Sequence, residues 1–431
     1  MRIGYFTSIE GWGGSEICLQ TLLRGVREQG HEPVLFGIEG TRLTQETRRD
    51  GIECVIWKTR AAGTAFNSPV KDAAREDARP PEKPSPLEGE RPCEPQTGHM
   101  TSALKTRLVR AIPVGVRLLL GNAREAMALR RLFRQHPVDI MHVSLNGYEM
   151  AGLACRWAGI PSLGWHCITP YQDPDATRRW LIRWTGRCYT RVGGTSKACL
   201  DAWRLWCGLP DAQCVWIWNG IDLARFGAGA PVARGKDDPF VILAAGRLHP
   251  MKGFDGLIRA FGLLNESRAE LRIAGAGEED RALCNLAAST PGGGRIAFLG
   301  HSENAERLYA AAHVFVLPSV SHESFGLVVA EAMATGLPVI TSDYGPLPEI
   351  NVHGETGLVV PARDDKALAA ALRHVMEHPE EARRWGANGR KRAQECFSSG
   401  RMVSEFLRLY RQTINDRSVP AKNHALSGAA T

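Results

Sequence analysis

The sequence predicts an α/β protein of two doubly wound, Rossmann-like domains that face each other across a cleft. Short apolar strands alternate with amphipathic helices along both halves of the chain, and the alternation restarts after the segment VWIWNGID at positions 215–222. The length of 431 residues suits two domains, and a composition of 44% hydrophobic and 23% charged residues is typical of a globular protein. Such domains bind ligands at the carboxyl ends of their strands, so we expect the functional site in the cleft.

The first domain, residues 1–222, opens with the predicted strand Arg2–Thr7, a glycine loop and a helix over Ser15–Glu28 that Gly30 ends. Within it, residues 67–100 contain seven prolines and twelve charged residues in 34 positions. That composition cannot bury a core, and we expect a disordered insertion there. Further strands are predicted at Pro33–Gly37, Val138–Val143, Pro161–Trp165 and Arg191–Gly194.

The second domain, residues 223–398, repeats the pattern with a buried strand at Pro239–Gly246 and a helix over Gly253–Leu264. We expect a closing helix over residues 399–415 and a disordered tail over 416–431. The other predicted strands are Glu270–Gly275, Arg295–Leu299, His313–Pro318 and Pro338–Ser342, and the other predicted helices are Asp364–Glu377, Glu380–Cys396 and Gly400–Asn415.

The sequence disfavours several classes of protein. No apolar run reaches the ~18 residues of a membrane span, and the N-terminal MRIGYFTS is typical of a strand rather than a signal peptide. Eleven cysteines without a C-x-x-C pair indicate reduced thiols rather than disulfides or a zinc site. We therefore expect a cytoplasmic protein.

Two basic segments stand out against the modest formal charge of +7. Residues 104–135 carry eight Lys or Arg against one acid, Glu125, and residues 178–191 read RRWLIRWTGRCYTR. Basic residues mixed with Leu and Trp suit an anionic membrane surface, here the inner face of the cytoplasmic membrane; the alternative is a solvated helix face. Nucleic acid is not expected as a partner, because no known binding motif accompanies the charge.

Two loops that follow predicted strands contain residues suited to phosphate. In GWGGSE, Gly13 and Gly14 let the backbone approach a ligand at the start of a helix. A Gly–Gly turn on its own has a structural role about as often as a functional one. In GRLHPMKG, Arg247 and Lys252 can neutralise a diphosphate leaving group; the alternative is a pair of solvated cations. The first loop lacks the GxGxxG fingerprint of dehydrogenases and the second lacks the Walker A pattern.

The segment HESFGLVVAEAMATGLPVI, positions 322–340, keeps two glutamates in an apolar run. Glu323 is predicted in a loop before a helix over Phe325–Thr335 that Gly336 ends. A carboxylate there either interacts favourably with the positive end of the helix dipole or accepts hydrogen bonds from sugar hydroxyls. Glu331 lies inside the helix, where an unpaired carboxylate is costly to bury. We expect it to bind hydroxyls in the cleft or to pair with a cation.

The motifs GGSE, GRLHPMKG and HESFGLVVAE, the last an E-x7-E pattern, resemble those of the retaining glycosyltransferases of family GT4, the glycosyl transferases group 1, which have the GT-B fold. The resemblance runs from Arg2 to the segment at 397–412, which is similar to the closing helix of the family. Residues 67–100 have no counterpart in the pattern.

The resemblance implies roles for individual residues. Arg247 and Lys252 would hold the nucleotide diphosphate. Glu323 would reach the hydroxyls of the donor sugar, and Glu331 would bind the ribose. The other implied donor-binding positions are Gly13, Gly14, Ser324, Phe325, Gly326 and Leu327.

Two histidines also match the family pattern. His166, in SLGWHCI, would lie near the reaction centre and hydrogen-bond the donor sugar or orient the acceptor. His142 resembles an earlier histidine of the family, and a histidine at a strand end is more often structural. The implied catalytic residues are His166, Glu323, Arg247 and Lys252.

The implied reaction is transfer of a hexosyl unit, with retention of configuration, from a UDP- or GDP-sugar to an acceptor hydroxyl, without a metal or other cofactor. We expect a saccharide or lipid-linked acceptor in the assembly of a surface polysaccharide or glycolipid. Two alternatives stay open: a GT-B nucleotide-sugar epimerase or phosphorylase-like protein, and a non-catalytic GT-B protein that binds a nucleotide or serves as a scaffold.

Overall fold

The structure, a computed structural model, describes residues 1–9, 11–57, 114–145, 150–167, 180, 183–227 and 238–416. These residues form two parallel β-sheets, of seven and six strands. The predicted insertion at 67–100 and the tail beyond residue 416 lie outside the described residues. The fold class predicted from the alternation of strands and helices is confirmed.

The first sheet has the strand order β3-β2-β1-β4-β5-β6-β7, and every neighbouring pair is parallel. Its strands are β1 (Arg2–Phe6), β2 (Glu32–Gly37), β3 (Glu53–Ile56), β4 (Ile140–Leu145), β5 (Ser162–His166), β6 (Arg191–Gly194) and β7 (Cys214–Trp216). Its helices are α1 (Gly14–Glu28), α2 (Arg42–Arg49), α3 (Val114–Gln135), α4 (Met150–Ala158) and α5 (Lys197–Cys207).

The second sheet has the order β10-β9-β8-β11-β12-β13, again with parallel pairs. Its strands are β8 (Phe240–Ala245), β9 (Ala269–Ala274), β10 (Ile296–Gly300), β11 (Val314–Leu317), β12 (Val339–Ser342) and β13 (Gly357–Val360). The remaining helices are α6 (Leu223–Gly227), α7 (Phe254–Leu264), α8 (Asp280–Ser289), α9 (Ala305–Ala310), α10 (Leu327–Ala334), α11 (Leu347–Ile350), α12 (Asp365–Glu377), α13 (Pro379–Cys396) and α14 (Ser399–Asn415).

Apolar side chains cover both faces of each sheet. In the first domain, Leu129 and Phe133 of α3 pack on one face, and Leu22 of α1 packs on the other. Each fully buried side chain of this size contributes about 1.5–3 kcal/mol to stability. In both sheets the strand order reverses once, between β1 and β4 and between β8 and β11, and a reversal of this kind opens a crevice at the carboxyl ends of the strands.

The chain crosses between the domains twice at one place. The backbone N–H of Ile221 donates to the carbonyl of Phe397 at 2.8 Å, and that of Ser399 donates to the carbonyl of Ile221 at 3.0 Å. Beyond this crossing, α14 returns to the first domain and buries Phe406 and Tyr410 against α1 and the first sheet. The closing helix predicted from the sequence therefore joins the two domains.

Candidate active site

One cavity of about 590 Å³ lies between the two domains, at the crevices of both sheets. Its walls come from the loops that follow β1, β8 and β11, together with α10 and parts of α1 and α14. All ten positions predicted to bind the donor line this cavity: Gly13, Gly14, Arg247, Lys252, Glu323, Ser324, Phe325, Gly326, Leu327 and Glu331. The structure thus brings together three motifs that lie far apart in the sequence.

Lys252 and Glu323 form an ion pair at the base of the cavity. The Lys252 Nζ lies 2.6 Å from Oε2 of Glu323, and the Ser319 hydroxyl donates to the same oxygen at 3.2 Å. The side chains are 18% and 9% exposed, respectively, so water screens the pair only in part. The pair satisfies the carboxylate and places a cation beside it, within reach of a ligand in the cavity.

A glycine makes this pairing geometrically possible. Gly253 has a φ of +66°, and a Cβ there would lie 2.3 Å from the carbonyl oxygen of Pro318. The loop after β8 can therefore press against the loop after β11, where the backbone N–H of Val320 donates to the carbonyl of Met251 at 2.8 Å. This contact delivers Lys252 to Glu323, which follows it by 71 positions.

The amino end of α10 faces the glycine loop of the first domain. Gly326 caps the helix with a φ of +98°, a left-handed conformation that favours glycine. A Cβ on Gly14 would lie 2.9 Å from Cδ1 of Leu327, and one on Gly13 would lie 3.8 Å from Nη2 of Arg247. The unpaired N–H groups of a helix start attract anions, and here a guanidinium lies on the opposite side of the same space.

Glu331 accepts a hydrogen bond from the Tyr309 hydroxyl at 2.8 Å. Burial raises the pKa of Glu331 from its ordinary 4.5 to about 7, while the Tyr309 hydrogen bond and the charge of Arg225 act in the opposite direction. Glu331 was expected to bind hydroxyls in the cleft or to pair with a cation. Its partner in the structure is instead a hydroxyl of the protein, and the carboxyl group lines the cavity, so binding of ligand hydroxyls stays a prediction.

Glu16 is a buried acid behind the glycine loop that lines the cavity, and its motif did not indicate a role for it. It lies in the first turn of α1, is 3% exposed, and accepts a hydrogen bond from the Ser15 hydroxyl at 2.8 Å. Burial raises the pKa of Glu16, and the charge of Arg247 across the domain boundary opposes that rise. The signal in the sequence was an acid two positions after a Gly–Gly turn.

The two predicted histidines occupy different positions. His142, on β4, lines the cavity and its Nδ1 lies 2.7 Å from the Tyr410 hydroxyl of α14. His166, at the end of β5, does not line the cavity; its ring stacks on Trp203 with a centroid distance of 3.9 Å. Burial lowers the pKa of both histidines to about 3. The structure therefore brings His142, and not His166, to the predicted donor-binding residues.

A second cavity, of about 450 Å³, lies entirely within the second domain, behind the loop that carries Met251. Among the described residues, none of the first domain lines it, so this cavity does not combine groups from both domains. Within the described ranges, no group of three or more His, Cys, Asp or Glu side chains could hold a metal ion. In the same ranges, no helix combines the length and the apolar character needed to cross a bilayer.

The comparisons with known proteins cover both halves of the chain. Residues 12–225 match the family described as Glycosyltransferase Family 4, and residues 231–392 match Glycosyl transferases group 1. A glycogen synthase of Mycobacterium tuberculosis is 31% identical over 279 residues, which are 64% of this chain and 63% of that protein. A D-inositol 3-phosphate glycosyltransferase of Streptomyces avermitilis is 35% identical over 198 residues, 41% of this chain and 42% of that protein. The chain thus spans less than two thirds of the length of these curated relatives.

Solved structures share the fold over nearly the whole chain. A glycosyltransferase from Rickettsia africae superposes with a TM-score of 0.72 at 16% identity, covering 96% of this chain and 99% of that one. Anabaena HepE in complex with UDP superposes with a TM-score of 0.70 at 16% identity, covering 96% of this chain and 100% of that one. With family matches to both halves and the shared fold across the domain boundary, the chain belongs to the GT4-type glycosyltransferases of the GT-B fold.

Proposed function

We propose that this chain is a retaining glycosyltransferase that moves a hexosyl unit from a UDP- or GDP-sugar to an acceptor hydroxyl. One observation carries the proposal: Lys252, Glu323 and Glu331 line a single cleft together with Arg247 and the amino end of α10. Cations and helix starts bind phosphate oxygens, and carboxylates bind the hydroxyls of a sugar or ribose. A nucleotide sugar presents all of these groups at once.

In the proposed reaction, the bond between the anomeric carbon and the diphosphate oxygen breaks, and the acceptor oxygen bonds to the same face of that carbon. Negative charge grows on the departing diphosphate, where Arg247, Lys252 and the N–H groups at the start of α10 stabilise it. Positive charge grows on the sugar beside Glu323. The proton of the acceptor hydroxyl leaves with the diphosphate, so no carboxylate nucleophile is needed.

The ion pair would rearrange when the donor enters. Lys252 would turn from Glu323 toward a phosphate oxygen, and a sugar hydroxyl would take its place on the carboxylate. The exchange keeps both charges paired before and after binding, which limits the cost of desolvating them. Contact between the two domains around the donor would exclude water and so limit hydrolysis.

Relatives support a nucleotide-sugar donor and a saccharide acceptor. Anabaena HepE has been solved with UDP-glucose, and the Mycobacterium tuberculosis relative is a glycogen synthase. The donor sugar of this chain follows from neither name, so UDP- and GDP-sugars are both proposed. For the acceptor we propose a saccharide, lipid-linked or part of a growing polysaccharide, on the strength of the basic and aromatic surface of the first domain.

That surface, which we call the tryptophan face, carries exposed Trp157, Trp180 and Trp184, which are 41%, 57% and 43% exposed. The rings of Trp180 and Trp184 stack at 6.3 Å, and the exposed arginines on α3 and nearby are Arg124, Arg131, Arg134, Arg183 and Arg187. Indole rings suit the headgroup region of a bilayer, and arginines attract anionic lipids. We propose that this face makes peripheral contact with an anionic membrane, where a lipid-linked acceptor would be found.

A donor panel tests the proposed reaction. The protein is incubated with UDP- and GDP-sugars, with and without a membrane lipid extract, and nucleotide release is measured. We expect release from one donor, faster with extract, and a product that proton NMR shows to have kept the anomeric configuration of the donor. An isomerised donor would establish an epimerase instead, and nucleotide binding without release from any donor would establish a non-catalytic protein.

Vesicle co-sedimentation tests the membrane contact. Binding should be stronger to anionic than to neutral vesicles and should weaken as salt increases, because the Debye length falls from about 10 Å at 0.1 M to about 3 Å at 1 M. Trp180→Ala with Trp184→Ala should weaken binding, while Trp216→Ala, at an exposed tryptophan outside the tryptophan face, should not. Equal binding to neutral and anionic vesicles, or none, would refute the contact.

A further inference from the structure

The two domains meet directly behind Glu323, at the amino end of α5. The hydroxyls of Thr195 and Ser196 both donate to the backbone carbonyl of Ser324, at 3.0 and 2.8 Å. Both side chains are buried, at 2% and 0% exposed. Because Ser324 follows Glu323 directly, these hydrogen bonds tie the first domain to the peptide that carries the predicted sugar-binding carboxylate.

Glu349, on α11 of the second domain, holds the same helix end. Its Oε2 accepts from the backbone N–H of Lys197 at 3.1 Å, and its Oε1 accepts from that of Ala198 at 2.6 Å. Trp218 adds a third donor, with Nε1 at 3.4 Å from Oε2. The first N–H groups of a helix lack partners within the helix and carry partial positive charge, so a carboxylate there is favourable. The opposite domain thus supplies a cap for α5.

The position of Glu349 is fixed relative to Glu323. Arg392 of α13 donates from Nη2 to the Glu349 carbonyl at 2.6 Å and from Nε to the Ile350 carbonyl at 3.0 Å. The loop before α11 also touches the Glu323 peptide, since a Cβ on Gly345 would lie 3.3 Å from the Glu323 carbonyl oxygen. Helix α11, its preceding loop and Glu323 are therefore one packed unit of the second domain.

We infer that Glu349 is a positioning residue for sugar transfer. By clamping the amino end of α5, it holds Thr195 and Ser196 on the Ser324 carbonyl and so fixes where Glu323 presents its carboxylate. Glu349 does not line the cavity and would not touch the donor, so it acts through the 322–328 segment. The inference rests on the proposed function, in which Glu323 binds the donor sugar.

If Glu349 only capped α5, its removal would have a different effect on turnover than if it also positioned Glu323. Loss of a cap lowers stability and leaves the folded site unchanged, so the turnover of the folded enzyme would stay at the parent value. Loss of a positioning residue misplaces the carboxylate in a folded protein, and turnover falls while the nucleotide still binds. The split between turnover and nucleotide binding separates the two.

The test uses the full chain with Glu349→Ala, Glu349→Gln and the control Glu380→Ala, which removes an exposed carboxylate paired only with Arg383 among the described residues. Three quantities are measured: kcat with the donor found by the panel, Kd for UDP and GDP, and amide hydrogen exchange over 322–328. For Glu349→Ala we expect a loss of about tenfold in kcat, the size of a modest misplacement of a reacting group, with nucleotide Kd within about twofold of the parent. Amide exchange over 322–328 should be faster in Glu349→Ala than in the parent. In both kcat and exchange, Glu349→Gln should lie between Glu349→Ala and the parent, and Glu380→Ala should match the parent.

A double variant adds an independent check. Thr195→Val removes one hydroxyl from the Ser324 carbonyl, and combined with Glu349→Ala it should lower kcat by less than the product of the two single losses, since both act on one segment. Parent kcat and parent exchange over 322–328 in Glu349→Ala would overturn the inference, as would a fall in kcat that merely follows the unfolded fraction. If the parent neither transfers sugar nor binds either nucleotide, the proposed function fails, and the exchange over 322–328 still decides whether Glu349 orders that segment.

Discussion

The two walls of the cleft differ in the charge of their polar groups. On the wall formed by the second domain, Lys252 and Glu323 are paired at 2.6 Å beside the cavity. On the wall formed by the first domain, His142 is buried beside aromatic rings, and burial lowers its pKa to about 3, so it is neutral near pH 7. Charge is therefore available on the wall of the second domain, the proposed donor wall, while the wall of the first domain, the proposed acceptor wall, offers shape and neutral hydrogen bonds at His142.

This difference fits a reaction in which charge develops on the leaving group. Preorganised cations stabilise a departing diphosphate best when they are held in place before the reaction begins. The acceptor wall has no comparable need, because an incoming hydroxyl is neutral. Its apolar members include Trp12, Trp165 and Phe406, and the last two are packed edge to face at 4.7 Å.

The largest effect is expected for Lys252→Ala, which removes one cation of the donor wall, leaves Arg247 in place, and leaves the Glu323 carboxylate without its lysine partner. Transfer should fall by about 10²–10³-fold, the loss typical of removing one group that stabilises developing negative charge. Nucleotide Kd should rise by about tenfold or more, since a phosphate contact is lost as well. Steady-state kinetics and calorimetry measure the two quantities.

Lys366→Ala is the matched control, because Lys366 is an exposed lysine of α12 on the same domain. It should keep transfer and nucleotide binding within about twofold of the parent, as surface substitutions usually do. If Lys252→Ala behaved like this control, the donor wall would not hold the diphosphate and the contrast between the two walls would lose its functional meaning.

An intermediate effect is expected from the titration of Glu331. Its folded pKa of about 7 lies above the ordinary 4.5, so the protonated carboxyl favours the folded state. The resulting stability is fully present below about pH 4.5 and is lost as pH rises through 7. Relative to Glu331→Gln, the parent should lose on the order of 1–3 kcal/mol of unfolding free energy between pH 5 and 8, as measured by urea titration.

The same glutamate should couple nucleotide binding to pH. A ribose diol donates to a carboxylate, so binding should strengthen as Glu331 ionises near pH 7, and this component should be missing from Glu331→Gln. Phosphate ionisation contributes equally to both proteins and cancels in the comparison. Identical pH dependence of Kd in the two proteins would remove Glu331 from the ribose site.

The smallest effect concerns His142 and His166. Because burial lowers the pKa of both to about 3, neither imidazole should gain a proton between pH 5 and 8. Their side-chain ¹⁵N signals, assigned with His142→Asn and His166→Asn, should keep constant chemical shifts across that range. A titration near pH 6.5 at His142 would mean that the acceptor wall carries a charge after all, and one at His166 would contradict its burial against Trp203.

Much of the fold could be predicted from the sequence, because parallel strands buried on both faces appear as short apolar runs. The strand at Arg191–Gly194 forms with the predicted bounds, and the one predicted at Pro33–Gly37 forms over Glu32–Gly37. The strands β3, β7 and β13 were not predicted. All three lie at a sheet edge, β3 and β7 at the two edges of the first sheet and β13 at an edge of the second. Their residues are only partly buried, so these strands do not appear in the sequence as continuous apolar runs.

The placement of the predicted site residues could be inferred where it depends on a single motif. All ten donor positions line the cavity, since each motif follows a strand and the carboxyl ends of parallel strands share one edge. Pairings between motifs were not predictable: Lys252 meets Glu323 only because Gly253 lets two loops touch, and Glu16 meets Arg247 only across the domain boundary. His166 was expected near the reaction centre, but its ring stacks on Trp203 of α5 and does not line the cavity. This contact could not be predicted, because Trp203 lies outside every motif.

The most direct test of the central claim is to measure transfer and nucleotide binding side by side on Glu323→Gln. The substitution keeps the shape of the side chain and an oxygen for Lys252, and removes the charge that would face the donor sugar. We expect kcat to fall by about 100-fold, with Kd for the nucleotide within about threefold of the parent, because the lost contact is made to the sugar. Parent-like transfer by Glu323→Gln would contradict the assignment of this cleft as a sugar-transfer site.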